Sequence, residues 1–174
     1  SHPTVLVRVP DPVGSSRKFI TDPNLPECPQ LRFIRIDGSM FFGAVNFLQE
    51  TLRQYEKESP DRRHLAIVMS GVNFLDVAGV EALAQEAKRF RSQGGGLYLV
   101  RVKEEVLAFL RRSGSIDVIG EGNLFQSKTE AIRAIYARLD AECCRSCKLN
   151  VFVECARRGR QEPAEEAPWL RGAA

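Results

Sequence analysis

Two groups of residues in this chain have types and spacings that could do chemistry. The first is a cysteine cluster near the C-terminus: Cys143, Cys144, Cys147 and Cys155, with Cys28 standing apart. Thiolates ligate zinc and exchange disulfides, and Cys144-x-x-Cys147 has a chelating spacing. Cys143 and Cys155 would complete four zinc ligands. Two features weigh against zinc and one against redox exchange. Adjacent Cys143 and Cys144 fit poorly into one tetrahedral site, and no second Cys-x-x-Cys follows. A redox pair prefers a strand–helix junction, whereas this pair follows a helix. Reduced thiols are the simplest reading, with zinc ligation and a redox pair as alternatives. An odd cysteine count with no secretion signal ahead of it fits a reducing cytoplasmic setting.

The second group lies in residues 64–83, HLAIVMSGVNFLDVAGVEAL. Leu65–Met69 is a continuous apolar run, as expected of a strand covered on both faces. Gly71 and Asn73 break it. Asp76 suits the N-cap of a following helix, on which Val80, Leu83, Ala84, Ala87 and Phe90 recur at helical spacing. A helix N-terminus offers unpaired N–H groups and a positive partial charge, suited to an anion or a phosphate. A plain cap without a ligand is the simpler reading. The candidate nucleotide, anion or partner surface is Ser70, Gly71, Asn73, Asp76, Val77, Ala78 and Gly79.

Other candidates carry less. His64, beside Arg62 and Arg63 at a strand entrance, reads as a surface histidine. Glu104-Glu105 at a helix start favours the macrodipole. Gly94-Gly95-Gly96 follows a helix and precedes a strand, the reverse of a phosphate loop, and reads as a helix stop. Nucleophile motifs and dinucleotide fingerprints are missing. No catalysis is expected. Ser1-His2 reads as the remnant of a cleaved tag.

The elements that must position these residues alternate. Residues 4–9 read as an edge strand ending at Pro10, and residues 10–30 as a Pro-rich loop with a short extended piece at Lys18–Thr21. In residues 31–37, Leu31, Phe33, Ile34 and Ile36 alternate against Arg32, Arg35 and Asp37. A helix over 44–58 carries the stripe Val45, Leu48, Leu52, Tyr55 and stops at Pro60. After the 65–69 strand and the Asp76 helix come a strand at 97–102, a helix at Glu104–Arg112, a short helix or loop leading to a brief strand at Ile116–Phe125, and a helix at Lys128–Asp140. Asn150–Glu154 reads as an extended piece, and the tail from about Ala156, with Trp169 and Leu170, as disordered. Strand–helix alternation from residue 31 predicts an α/β fold with a mostly parallel sheet and right-handed crossovers. The predicted division is 1–30 edge strand and linker, 31–142 domain, 143–174 Cys-containing extension and tail.

Composition sets the class. The 174 residues are 44% hydrophobic and 27% charged, with a net charge of +3. That is ordinary for a globular domain and too weakly basic to imply nucleic acid. No apolar run approaches the roughly 20 residues that cross a bilayer.

The segments LRFIRIDGSMFFG (31–43), NFLDVAG (73–79), LYLVRVKEEV (97–106) and RRSGSIDVIGEGNLF (111–125) resemble, in this succession, a STAS domain, the sulfate-transporter and anti-sigma-factor-antagonist module. VLVRVPDP before them and CCRSCKLNVFVEC after them resemble the C-terminal region of bacterial SulP-type anion transporters. The resemblance implies a STAS-like (SpoIIAA-like) sheet of four to six strands flanked by about four helices. It implies a non-catalytic regulatory and assembly domain of a sulfate or bicarbonate transporter, on the cytoplasmic face of the inner membrane. The implied partners are the transmembrane part of the same protein, a second copy in a homodimer, and a cytoplasmic regulatory protein. No cofactor is implied beyond a weakly bound nucleotide at the loop before the Asp76 helix, and zinc is not expected. The antagonist branch carries Asp-Ser-Ser/Thr-Gly, with a phosphorylated serine. Here Val77 and Ala78 stand between Asp76 and Gly79, so no phosphorylation site carries over. A free-standing partner-switching antagonist and a zinc or thiol protein are the alternative readings.

Overall fold

The computed structural model describes residues 2–13 and 18–158, and Trp169 and Leu170 lie outside them. The apolar run of residues 65–69 is the middle of strand β4 (His64–Gly71), buried on both faces as its composition requires. Parallel to it run β3 (Leu31–Asp37) on one side and β5 (Gly96–Val100) on the other. The two-residue β6 (Leu124–Phe125) pairs parallel with β5. β1 (Thr4–Pro10) runs antiparallel to β3, and β2 (Phe19–Ile20) pairs with its last two residues. The sheet order is β2-β1-β3-β4-β5-β6. β1 is therefore second from the edge, with β2 covering only its end. The short extended piece expected near Lys18–Thr21 is β2.

The helices divide between the two faces. α1 (Phe42–Glu58), α2 (Val77–Ser92), α3 (Glu104–Arg112) and α4 (Ser115–Ile119) pack on one face. There Ile34, Ile36, Leu65, Ile67, Met69, Leu97 and Leu99 meet Leu48, Leu52, Val80, Leu83, Leu110 and Ile119. The other face carries Leu31, Phe33, Ala66, Val68, Tyr98 and Val100. It is covered by α5 (Lys128–Tyr136), α6 (Ala141–Ser146) and the segment before α7 (Val153–Arg158). The four helices expected from periodicity are α1, α2, α3 and α5, and three short ones join them.

β3 shows why simple alternation misled. Leu31 and Phe33 face one side and Ile34 and Ile36 the other, and all four are buried. A strand between two neighbours with helices on both faces has no solvent side to mark. Arg35 shares the Phe33 face.

The C-terminal segments also differ from expectation. The helix expected through Asp140 ends at Tyr136. Asp140 instead caps α6, accepting from the backbone N–H groups of Glu142 and Cys143 at 2.8 and 3.1 Å. Val153 and Glu154 start a helix rather than an extended piece. Phe152 just before it is buried edge-on against Phe33, with centroids 6.1 Å apart.

At the other end of α2, Gly94 takes φ +82°, its N–H bonds the Arg91 carbonyl, and the Gly95 N–H reaches back to the Phe90 carbonyl. This is a Schellman stop, the role read for the glycine run.

Candidate functional site

The β4–α2 loop, residues 72–76, carries the candidate surface. Val72 and Leu75 are buried and anchor it, while Asn73, Phe74 and Val77 face solvent. Asn73 Oδ1 accepts from the Lys103 ammonium, which fixes the loop to the start of α3.

Asp76 is the N-cap of α2, as its position predicts: Oδ1 accepts from the Gly79 N–H at 2.8 Å. Its other oxygen does something sequence does not show. Oδ2 accepts from the Phe42 N–H at 3.1 Å, and Phe42 is the first residue of α1. The N-cap of α1 is Phe41, whose side chain makes no capping bond. One carboxylate thus serves two converging helix N-termini. The backbone reinforces the junction: the Met40 N–H donates to the Phe74 carbonyl and the Asp76 N–H to the Met40 carbonyl, at 3.0 and 3.2 Å. Gly79 belongs to the same arrangement, since a Cβ there would lie 2.8 Å from the Met40 carbonyl oxygen.

The positive ends of α1 and α2 are therefore neutralised by the chain itself. What projects around them is apolar. Phe42 is 75% exposed and Val77 62%, and Phe41 and Phe74 lie ring to ring at 5.1 Å, both also exposed. Ala78 is half-buried behind Val77 and Gly79 is buried. A groove lined by Phe74, Leu75, Val77, Val106, Phe109 and Arg112 continues the patch toward α3. Phe41 and Phe42 were not singled out from sequence. The available signal was a Phe-Phe pair outside the α1 stripe of Val45, Leu48 and Leu52.

Ser70 and Gly71 do not join this surface. Ser70 lies on the opposite face of the sheet, where its Oγ accepts from Arg35 Nη1 at 3.0 Å. Gly71 sits against Asp37, whose carboxylate leaves no room for a Cβ.

The cysteines are not gathered as the spacing suggested. Cys144 is buried against the second sheet face, its Sγ accepting from Gln30 Nε2 at 3.4 Å, while Cys143 and Cys147 are half-exposed. No cluster of three or more potential metal ligands occurs among the described residues. Instead Cys28 joins the apolar layer that holds Cys144 and Cys155. Burial pushes the Cys28 thiol up to about 11, so it stays protonated.

His64 is not a surface residue. It is 7% exposed, and its Nδ1 lies 2.9 Å from the Tyr98 hydroxyl across the parallel ladder. Burial, and secondarily the Arg138 charge, lower its pKa. Another buried charge was missed. Glu86 of α2 is 1% exposed and pairs with Arg53 of α1 at 2.8 Å and with Arg89 at 2.6 Å, tying the two helices together.

Comparison with known proteins places this junction in a family. Sulfate transporter 1.1 of Arabidopsis thaliana is 25% identical over 138 residues, 74% of this chain and 21% of the relative. The first curated relatives are matched over only 16 to 21% of their length. Among solved structures, a sulfate transporter family protein from Wolinella succinogenes superposes with a TM-score of 0.57 at 24% identity, over 74% of this chain and 97% of that one. The murine Solute Carrier 26 family member A9 anion transporter gives 0.65 at 17% identity, over 78% of this chain and 22% of that one. These likenesses establish the fold. The STAS domain model itself matches residues 22–131, which span the sheet from β3 to β6, the doubly used Asp76 and the start of α5, and the chain belongs to the STAS domain family.

Proposed function

We propose that this chain is the regulatory and assembly domain of a SulP-type secondary anion transporter of the sulfate or bicarbonate class. It acts through contacts rather than catalysis, on the cytoplasmic face of the membrane. No helix among the described residues is long and apolar enough to cross a bilayer. The membrane part belongs to the remainder of a longer protein, consistent with the small share of each sulfate-transporter relative that this chain matches.

The observation that carries the reading is the apolar surface of Phe41, Phe42, Phe74 and Val77 around Asp76. Solvent-facing aromatics grouped in one place mark an interaction site. With the Asp76 carboxylate bonded to both helix N-termini, the surface suits a protein contact better than an anion. Its partner in this reading is the transmembrane part of the same transporter, in a homodimer that a cytoplasmic regulatory protein also engages. The partner-switching alternative depends on a phosphoacceptor that Val77 and Ala78 do not supply.

The test is uptake of labelled sulfate and bicarbonate by cells expressing the full-length gene. Phe42→Glu and Phe74→Glu should lower uptake with membrane expression retained. A gene without transmembrane segments, or uptake indifferent to both substitutions, overturns the reading.

A further inference from the structure

The second face of the sheet changes character along its length. Phe33, Val68 and Val100 close the apolar layer, and beyond them toward the carboxyl ends of β3 and β4 come Arg35 and Ser70. Three more cations surround that spot. Arg8 of β1 donates from Nη2 to the Phe19 carbonyl at 2.6 Å and from Nη1 to Thr21 Oγ1 at 3.1 Å. Lys128, the first residue of α5, holds its ammonium 4.7 Å from the centre of the same Phe19 ring. Arg101 follows β5 in a left-handed conformation, φ +59°, with its N–H bonded to the Phe125 carbonyl at 2.8 Å. It lines a cleft with Ser70, Lys103, Phe125 and Gln126. The one carboxylate lining that cleft, Glu121, lies 3.7 Å from Arg111.

Of the four cations Arg8, Arg35, Arg101 and Lys128, only Arg35 has a carboxylate partner among the described residues, Asp37 at 2.9 Å. Burial first, then the charges of Arg8, Arg101 and Arg35, lower the Lys128 pKa. Like charges held together and partly desolvated cost free energy unless an anion joins them. The carboxyl ends of parallel strands are also where open α/β sheets receive ligands.

We propose that Arg8, Arg101 and Lys128, with Arg35 and the Ser70 hydroxyl behind them, form a binding site for a phosphate-bearing anion. Dispersed cations and a hydroxyl donor match a multiply charged tetrahedral oxyanion. The site lies across the sheet from the Asp76 patch and shares no residue with it. The phosphate belongs either to a soluble compound or to the headgroup of an anionic phospholipid.

The experiment uses the full chain at fixed ionic strength with two probes. Sodium pyrophosphate is titrated by calorimetry. Co-sedimentation is measured with vesicles of phosphatidylcholine alone and of phosphatidylcholine mixed with phosphatidylglycerol. Lys128→Gln and Arg101→Gln each remove a cation from the proposed site, and Lys88→Gln removes one from an exposed position on α2. Each of the first two variants should weaken binding about tenfold, the loss of one charge-assisted hydrogen bond, while Lys88→Gln leaves it unchanged. Pyrophosphate binding with this pattern assigns a soluble phosphate. Binding only to the phosphatidylglycerol vesicles, with the same pattern, assigns a headgroup. Failure of both probes to bind the wild-type chain, or an equal effect of Lys88→Gln, overturns the site.

Discussion

Replacing Asp76 tests whether one carboxylate supports two helices. A side-chain N-cap contributes about 1 kcal/mol, and a hydrogen bond to a charged acceptor about 1.5–3 kcal/mol when buried well. Asp76 is half-buried and makes two such bonds, to the Gly79 N–H at 2.8 Å and the Phe42 N–H at 3.1 Å. Asp76→Ala leaves both donors without their partner and should cost about 2–3 kcal/mol, two to three times the value for an ordinary cap. For a domain of this size that lowers the melting temperature by about 6 °C. Asp76→Asn separates the two roles. Its amide oxygen can still accept from Gly79, but its NH2 group cannot accept from Phe42, so the loss should be about half. Urea denaturation followed by circular dichroism measures both, with the m-value checking that the transition stays two-state. If Asp76→Ala costs 1 kcal/mol or less, or if Asn is as harmful as Ala, the bond to α1 contributes nothing and the double cap is refuted.

Three further outcomes follow from the same geometry. Gly79→Ala should destabilise by about 1–3 kcal/mol because its Cβ meets the Met40 carbonyl; Gly43→Ala in α1, whose Cβ meets nothing, should stabilise by about 0.5–1 kcal/mol, and urea midpoints compare the two. His64 has a folded pKa below its ordinary 6.5. Between those two values the unfolded state binds more protons, so stability falls as pH drops below about 6.5, with a slope of at most about 1.4 kcal/mol per pH unit, and levels off below the folded value. Melting curves from pH 7.5 to 5 should show this slope reduced in His64→Gln. With Ellman's reagent at pH 8, Cys143 and Cys147 should react in the native chain, Cys143 slowed by burial that raises its thiol pKa, while buried Cys28 and Cys144 wait for denaturant; rapid modification of Cys28 in the native chain would contradict its position.

What sequence made legible was local. β4 is a run of five apolar residues, α2 has a cap and a stripe, and Gly94 ends it, all within one stretch of chain. The family resemblance rested on the same segments. What it hid was non-local. The second bond of Asp76 joins residues 34 apart, and nothing near Phe41 announces that its helix borrows a cap. His64 looked exposed because its neighbours are Arg62 and Arg63, yet its ring partner is Tyr98 on the adjacent strand. β3 looked one-sided because two of its seven residues are arginines. Arg32 lies over the Tyr55 ring at 4.5 Å and pairs with Glu27 at 2.7 Å, so its aliphatic stem is buried with its charge satisfied. Cysteine spacing by itself carried little for the opposite reason. Cys143 and Cys144 are neighbours in sequence but diverge on a helix, and Cys144 sits in the same layer as Cys28, more than a hundred residues away.

The Asp76 junction has a consequence for switching. A phosphate placed on the residue after Asp76 would bring about −1.5 to −2 charges beside a carboxylate that already holds both helix N-termini. In a chain with serine there, that repulsion gives phosphorylation leverage over the surface. Here the position is Val77, apolar and 62% exposed, flanked by Phe42 and Phe74. The same geometry that could be driven by charge is instead left permanently apolar, with the helix dipoles already neutralised. Such a surface has no phosphoacceptor at Val77 or Ala78. Its occupancy is set by the concentration and affinity of what it touches, and a partner tethered in the same polypeptide supplies a high effective concentration without modification. That is the behaviour the proposed transporter reading requires, and it differs from a free protein that must be released and recaptured. The proposed site, with Arg8 of β1, Arg101 after β5 and Lys128 at the start of α5, would give the chain a second, chemically distinct input. An anion bound by Arg8, Arg101 and Lys128 would relieve repulsion at the β5–α3 turn, and Lys103 in that turn is bonded to Asn73 in the loop that carries Asp76.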